Sequence, residues 1–234
     1  MLVHFAERVG LDGAQAAAER YRTDPKADNH DMMTVMIHPE LANVDRRSAE
    51  FVQARKNAKA IFLGLCYGMG SGKLARQLGL PVELRRRRDG TTYEVAGDEG
   101  RALLDKFDRQ VPFVSRLASL CEERAKRNGY IKTLSGRRCR FPVNAAGEME
   151  WTHAALNRLI QGSSADQTKM AMVALHEAGF KMQLQVHDEI CQGVRSVDEA
   201  REIARIMATC VELRVPSRVD VEIGPNWGEA KEID

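Results

Sequence analysis

Arg55, Lys59, Leu63 and Tyr67 recur every fourth residue through a stretch with helical apolar periodicity. At about 100° per residue they fall in a slowly drifting stripe on one side of a helix. Two cations, then an apolar side chain, then an aromatic ring make a surface suited to a nucleoside triphosphate. The cations would meet the phosphates and the apolar end the sugar and base. The same spacing also describes a plain solvated helix face. Further on, Gln185-Val186-His187-Asp188-Glu189 sits where two alternating segments reverse, which puts neighbouring carboxylates on a tight turn. Such a turn can serve as a metal platform, because two-metal phosphoryl transfer needs carboxylate oxygens that hold the ions ~3.5–4 Å apart. Asp188 can supply one ligand but cannot hold both ions alone, and ordinary polar turn chemistry is the alternative reading.

His153, Asn157 and Gln161 form a polar line at i, i+4 steps on an otherwise apolar helical pattern. Amides so placed can read minor-groove acceptors with little dependence on sequence; a capping or core-network role is the alternative. Arg137, Arg138 and Arg140, between Gly129 and Pro142, form a loop patch fit for phosphate contact or for plain solvent exposure. Gly68-Met69-Gly70-Ser71-Gly72-Lys73 does not have phosphate-loop spacing, is followed by Leu74 and ends a helix with no strand before it. Its glycines serve to stop that helix and turn the chain.

The elements that must carry these residues can be read from periodicity and punctuation. Residues 46–67 predict a helix capped by Asp45 and closed by Gly68, with Phe51, Ala54, Ala58, Ile61, Phe62 and Leu65 facing the core. Before it come an Ala-rich helical stretch and a polar link over residues 24–30. Arg85, Arg86, Arg87 and Arg88, then Asp89-Gly90, predict a small basic hairpin, or simply a solvated loop. Residues 98–128 form a long helical pattern broken or kinked at Pro112 and ended by Gly129. Residues 152–177 predict another helix and 181–194 a hairpin. Ser196-x-x-Glu199 is a capping box opening a helix to about residue 213, and residues 219–223 predict a last strand. With no internal repeat, the pattern implies one compact α+β unit.

Composition excludes some classes and selects none. The 234 residues, 44% hydrophobic and 29% charged, are enough for a substantial core. No apolar run approaches the ~18 to 20 residues of a membrane span, and no secretory pattern opens the chain, which makes a cytoplasmic location the expectation. The five cysteines are widely spaced and odd in number, so neither a disulfide framework nor a zinc site is indicated. A net charge of +2 means that any nucleic-acid binding must come from local patches.

Taken in order, the motifs resemble family A DNA polymerases, bacteriophage-type members in particular, over nearly the whole chain. Arg55-x-x-x-Lys59 with Leu63-Gly64 and Tyr67-Gly68 resembles the family's motif B on the fingers helix. Gly129 to Thr133 with Gly136-Arg137-Arg138 is similar to its palm loop, and Asn157 with Gln161-Gly162 to its primer-template contacts. Gln185-Val186-His187-Asp188-Glu189 resembles motif C, and Asn226-Trp227 the usual end of the fold. The resemblance implies a partial right-hand fold: a mostly helical fingers subdomain, residues 31–129, and a palm portion with a small antiparallel sheet, residues 1–30 and 130–234. It implies that Arg55, Lys59, Leu63 and Tyr67 bind the deoxynucleoside triphosphate, Lys59 also protonating the pyrophosphate, and that Asp188 ligates magnesium, of which a complete site holds two ions. Glu189 would support that site, and Asn157, Gln161, His187, Arg137 and Arg138 would bind the DNA primer-template.

Two features depart from the family pattern. Leu63 stands where an aromatic residue is commoner, which bears on sugar discrimination. The opening residues, Met1 to Ala6, resemble those that directly follow motif A, so its catalytic aspartate is expected several positions before Met1. Template-directed DNA synthesis is therefore expected to need a partner chain or an N-terminal part carrying motif A, with little or no activity from this chain alone. The alternatives are a catalytically inactive DNA-binding remnant of the polymerase fold and a relative of the single-subunit RNA polymerases.

Overall fold

The computed structural model describes residues 1–25 and 27–233, so Lys26 of the expected polar link lies outside the described residues. The chain opens with α1 (Leu2–Arg8), whose Val3, His4, Phe5 and Ala6 are buried, and α2 (Ala14–Thr23), which buries Ala14 and Ala18 one turn apart. The described part of the expected link is non-helical as far as Asp28, and its last two residues, Asn29 and His30, already open a helix, α3 (Asn29–Ile37). Asp28 starts it by accepting the N–H of Asp31 at 3.2 Å, and Met33, Thr34 and Met36 are buried behind that cap.

The stripe helix is α4 (Ala49–Cys66), and it starts later than the sequence reading placed it. Ser48 is the cap, its Oγ accepting from Phe51 N at 3.1 Å. Asp45 instead accepts from Arg47 N at 3.0 Å, a local turn that competes with helix initiation. Phe51, Ala58, Ile61, Phe62 and Cys66 are buried, while Ala54 and Leu65 are half-buried. Gly68, at φ +82, stops the helix as expected. The glycine-rich turn then leads into a further short helix, α5 (Ser71–Gln77).

Next comes the basic hairpin, β1 (Val82–Arg86) against β2 (Thr92–Ala96), with Arg85 opposite Tyr93 and the Asp-Gly turn between. The expected break gives α6 (Asp98–Gln110) and α7 (Pro112–Asn128). Pro112 sits at the first turn, where its missing N–H costs nothing, and Gly129 closes α7 at φ +71.

Beyond it lie β3 (Tyr130–Lys132) and β4 (Arg138–Arg140), then α8 (Ala155–Glu177) after a single 3-10 turn at Thr152–Ala154. β5 (Leu184–Val186) pairs with β6 (Glu189–Cys191), α9 (Val197–Thr209) follows, and β7 (Glu222–Ile223) pairs with β8 (Lys231–Glu232). The helix expected to reach residue 213 ends at Thr209, and the last strand is shorter than read. The capping box is also shifted: Ser196 accepts from Glu199 N at 3.1 Å, but the Glu199 carboxylate takes the N–H of Arg195, at 2.6 Å.

The architecture is α+β, helices with small antiparallel sheets, and among the described residues the strands form four separate pairs. One core joins α1, α3, α4, α7 and α8, around Phe62, Phe113, Met33 and Leu156. Each such buried side chain contributes roughly 1.5–3 kcal/mol relative to exposure. No helix among the described residues is long and apolar enough to cross a membrane.

Candidate nucleotide and nucleic-acid site

α3 packs along α4 and sets the charge of its cationic end. Arg55 Nε donates to Asp31 Oδ1 at 2.6 Å, and its Nη2 donates to Asp28 Oδ2. Burial would raise Asp28, but the bonds from Arg55 and from the His30 N–H outweigh it and hold the carboxyl below its usual range. One turn on, Lys59 is exposed, and among the described residues it makes no ion pair. The free cation of the stripe is therefore Lys59, while Arg55 is matched by two carboxylates. His30, on α3, has its ring edge-on to Phe62 at 5.5 Å, and its Nδ1 is buried with no hydrogen-bond partner among the described residues. Burial pushes its pKa down, with Asp28 opposing and Lys59 and Arg55 assisting.

The other end of the stripe meets α8. Leu63 and Tyr67 are half-buried, and Gln161 Nε2 donates to Tyr67 Oη at 2.7 Å, so the aromatic end of α4 touches the amide line that also carries Asn157. His153 lies outside that contact, its ring 5.9 Å from Trp151. Gly162 lets the β3–β4 loop close on α8, since a Cβ there would come within 2.6 Å of Thr133 Cγ2.

The arginine loop divides into two kinds of residue. Arg137 donates through Nε and Nη2 to Asp166 Oδ1, at 3.0 and 2.8 Å, and through Nη2 to Gly162 O. Its side chain stays 48% exposed while that of Asp166 is only 3% exposed. Burial alone would raise Asp166, but bonds from Thr133, Ser135 and Arg137 hold it down at about 2. Arg138 is exposed and lies over the Tyr130 ring at 4.8 Å.

At the β5–β6 turn, His187 adopts the left-handed conformation at φ +55 and Asp188 is exposed. Glu189 is not free: Trp227 Nε1 donates to its Oε1 at 2.7 Å, and Asn226 caps the short turn that presents the indole. The described residues contain no group of three His, Cys, Asp or Glu that could hold a metal ion. Asp188, exposed, and its tethered neighbour Glu189 are therefore only part of the donor set needed for the two magnesium ions that the sequence resemblance implies.

Residues 19–229 match the family model described as DNA polymerase family A. The chain belongs to that family. It is 48% identical to a DNA-directed DNA polymerase of Pseudomonas phage M6 over 98% of this chain and 36% of that protein. It is 32% identical to a thermostable DNA polymerase I of Thermus aquaticus over 84% of this chain and 23% of that protein. It thus spans about a third or less of the length of these relatives. Among solved structures, the POL domain of Pol1 from M. smegmatis, in complex with DNA primer-template and dNTP, superposes with a TM-score of 0.68. That match covers 92% of this chain and 35% of the other at 24% identity.

Within this family A chain, the structure joins Tyr67 to Gln161 and Glu189 to Trp227. Among the described residues, no hydrogen bond or ion pair links Asp188 to the α4 stripe. Sequence reading missed Asp28, His30 and Asp31 as neighbours of that stripe. A signal was available: Asp28 as a cap ahead of Met32, Met33 and Met36 at helical spacing. Asp166 had none, being one acid on an apolar helix whose partner lies 29 residues away.

Proposed function

We propose that this chain is the fingers and palm portion of a cytoplasmic, template-directed DNA polymerase, with fingers over residues 31–129 and palm over 1–30 and 130–234. It binds the deoxynucleoside triphosphate along α4 and the primer-template along α8. The observation that carries this reading is the Gln161–Tyr67 hydrogen bond, which sets the aromatic end of the cationic stripe against the amide line. Lys59, the exposed cation, meets the triphosphate and is placed to protonate the leaving pyrophosphate. Arg55 joins it once phosphate competes with Asp28 and Asp31, Leu63 lies at the sugar and Tyr67 at the template base. Asn157 and Gln161 follow the minor groove, while Arg138 and the exposed part of Arg137 meet backbone phosphate. His187 lies at the primer end.

Asp188 offers one carboxylate to the catalytic metal, with Glu189 beside it. One carboxylate cannot hold two ions, so the remaining ligand comes from residues outside those described, on a preceding segment or a partner chain carrying motif A. Primer extension with magnesium and four deoxynucleotides tests this, using the chain alone and then mixed with a polypeptide carrying motif A. Extension in the mixture only, abolished by Asp188→Ala, is the expected result. Extension unaffected by Asp188→Ala would overturn the reading.

A further inference from the structure

The β1–β2 hairpin takes no part in the site described so far, yet it carries the densest charge in the chain. Arg85, Arg86, Arg87 and Arg88 are consecutive and all exposed. The acids nearest to them are engaged elsewhere: Glu83 with Arg101, Glu94 with Arg76, and Asp89 with the Thr91 N–H and hydroxyl. Among the described residues none of the four arginines has an ion pair; Arg86 Nε donates to Gly90 O, and the Arg87 guanidinium lies 4.9 Å from the Tyr93 ring centroid. A protected strand edge needs only a charge or two. Four exposed guanidinium groups without an ion pair among the described residues, next to an exposed ring, match the chemistry of a single-stranded nucleic acid, phosphate on the cations and bases on the planar groups.

The placement of the hairpin selects which strand. Its root is locked to the start of α5, four residues beyond Tyr67: Ala96 N donates to Ser71 Oγ at 3.3 Å, and Gly72 lets α5 rest directly on the Glu94 backbone. Three to six residues at about 3.3 Å each carry Arg85 to Arg88 roughly 10 to 20 Å from Ala96, about three to six base steps at 3.4 Å per step. On the reading above, Tyr67 marks the template base and α8 the finished duplex, so the arm reaches toward template not yet copied. We propose that the β1–β2 hairpin binds the unpaired template strand ahead of the nucleotide site, through Arg85, Arg86, Arg87, Arg88 and Tyr93. This inference rests on that reading for the identity of the strand; the arm's affinity for single-stranded nucleic acid does not.

Fluorescence anisotropy of this chain with a labelled primer-template carrying a long 5′ overhang, and with the blunt duplex, tests the proposal between 50 and 200 mM salt. Replacing the four arginines with serine should lower overhang affinity on the order of ten-fold or more. It should also reduce the slope of log affinity against log salt by about 2 to 3, at roughly 0.7 per contact on a single strand. Replacing them with lysine should keep most of that slope, and Tyr93→Ala should cost about five-fold or more on the overhang. Circular dichroism checks that each variant is folded; if the serine variant is not, the lysine and Tyr93→Ala variants decide. Unchanged overhang binding in folded variants overturns the proposal, as does an equal loss on blunt duplex. Nucleotide binding measured in Lys59→Ala reports separately on the α4 reading, so either can fail while the other stands.

Discussion

Gln161 Nε2 and Tyr67 Oη are 94 residues apart in sequence and 2.7 Å apart in space. This bond ties the end of α4 to α8 at a partly exposed position, where a hydrogen bond contributes about 0.5–1.5 kcal/mol net. A double-mutant cycle of Tyr67→Phe and Gln161→Ala, followed by urea unfolding, should give a coupling energy at the low end of that range. A coupling indistinguishable from zero would mean that the two elements are held by apolar packing alone.

Asp166 anchors the β3–β4 loop to α8. Its carboxyl sits at about 2 in the folded chain against an ordinary 3.8. A depressed carboxylate stabilises the fold fully above its unfolded value, so this contribution is present above about pH 4 and lost as the pH falls toward 2. The shift corresponds to about 2 kcal/mol. Asp166→Ala at neutral pH should cost about 3 kcal/mol, the lower end for a broken buried pair because Arg137 is half exposed. Stability equal to that of the unsubstituted chain would remove this anchor from the account.

Two histidines set a second acid limit. His4 accepts from Arg214 N through Nδ1 at 3.1 Å, and burial first, then the N-terminal ammonium, lowers its pKa; His30 is lowered by burial as well. Both fold as neutral rings, so the unfolded chain binds more protons below its own histidine pKa, about 6.5. Stability is therefore complete above that pH and declines as pH drops from 6.5 toward 5. Urea midpoints at pH 7.5 and 5.5 should differ in that direction, and the difference should shrink in His4→Asn/His30→Asn.

Glycine contacts separate rigid neighbours from flexible ones. A Cβ on Gly72 would come within 2.6 Å of the Glu94 carbonyl carbon, whereas one on Gly64 would meet only the movable end of the Met69 side chain. Gly72→Ala should cost about 2 kcal/mol, in the range for overpacking against backbone, and Gly64→Ala clearly less. Equal thermal shifts for the two would contradict the hairpin root described above.

Local pattern was enough for much of this protein. Helical spacing placed Arg55, Lys59 and Leu63 on α4 with Tyr67 at its C-terminal cap, Pro112 and Gly129 bounded α7, and Asp89-Gly90 turned the basic hairpin, because each depends on neighbours a few residues away. Caps were less legible: Asp45 and Ser48 are both good helix starters, and only the folded chain shows Asp45 spent on Arg47. α3 was hidden by its polar opening residues, although burial of Met33 and Met36 makes it part of the core.

What the tertiary structure alone decided is the partner of the charged groups around the candidate site. The pairing of Arg55 with Asp28 and Asp31, of Arg137 with Asp166 and of Glu189 with Trp227 spans 24 to 38 residues. Short-range periodicity carries no information on such distances. These pairings follow from how α3, α8 and the last turns pack, and among the described residues they leave Lys59 and Asp188 without ion pairs.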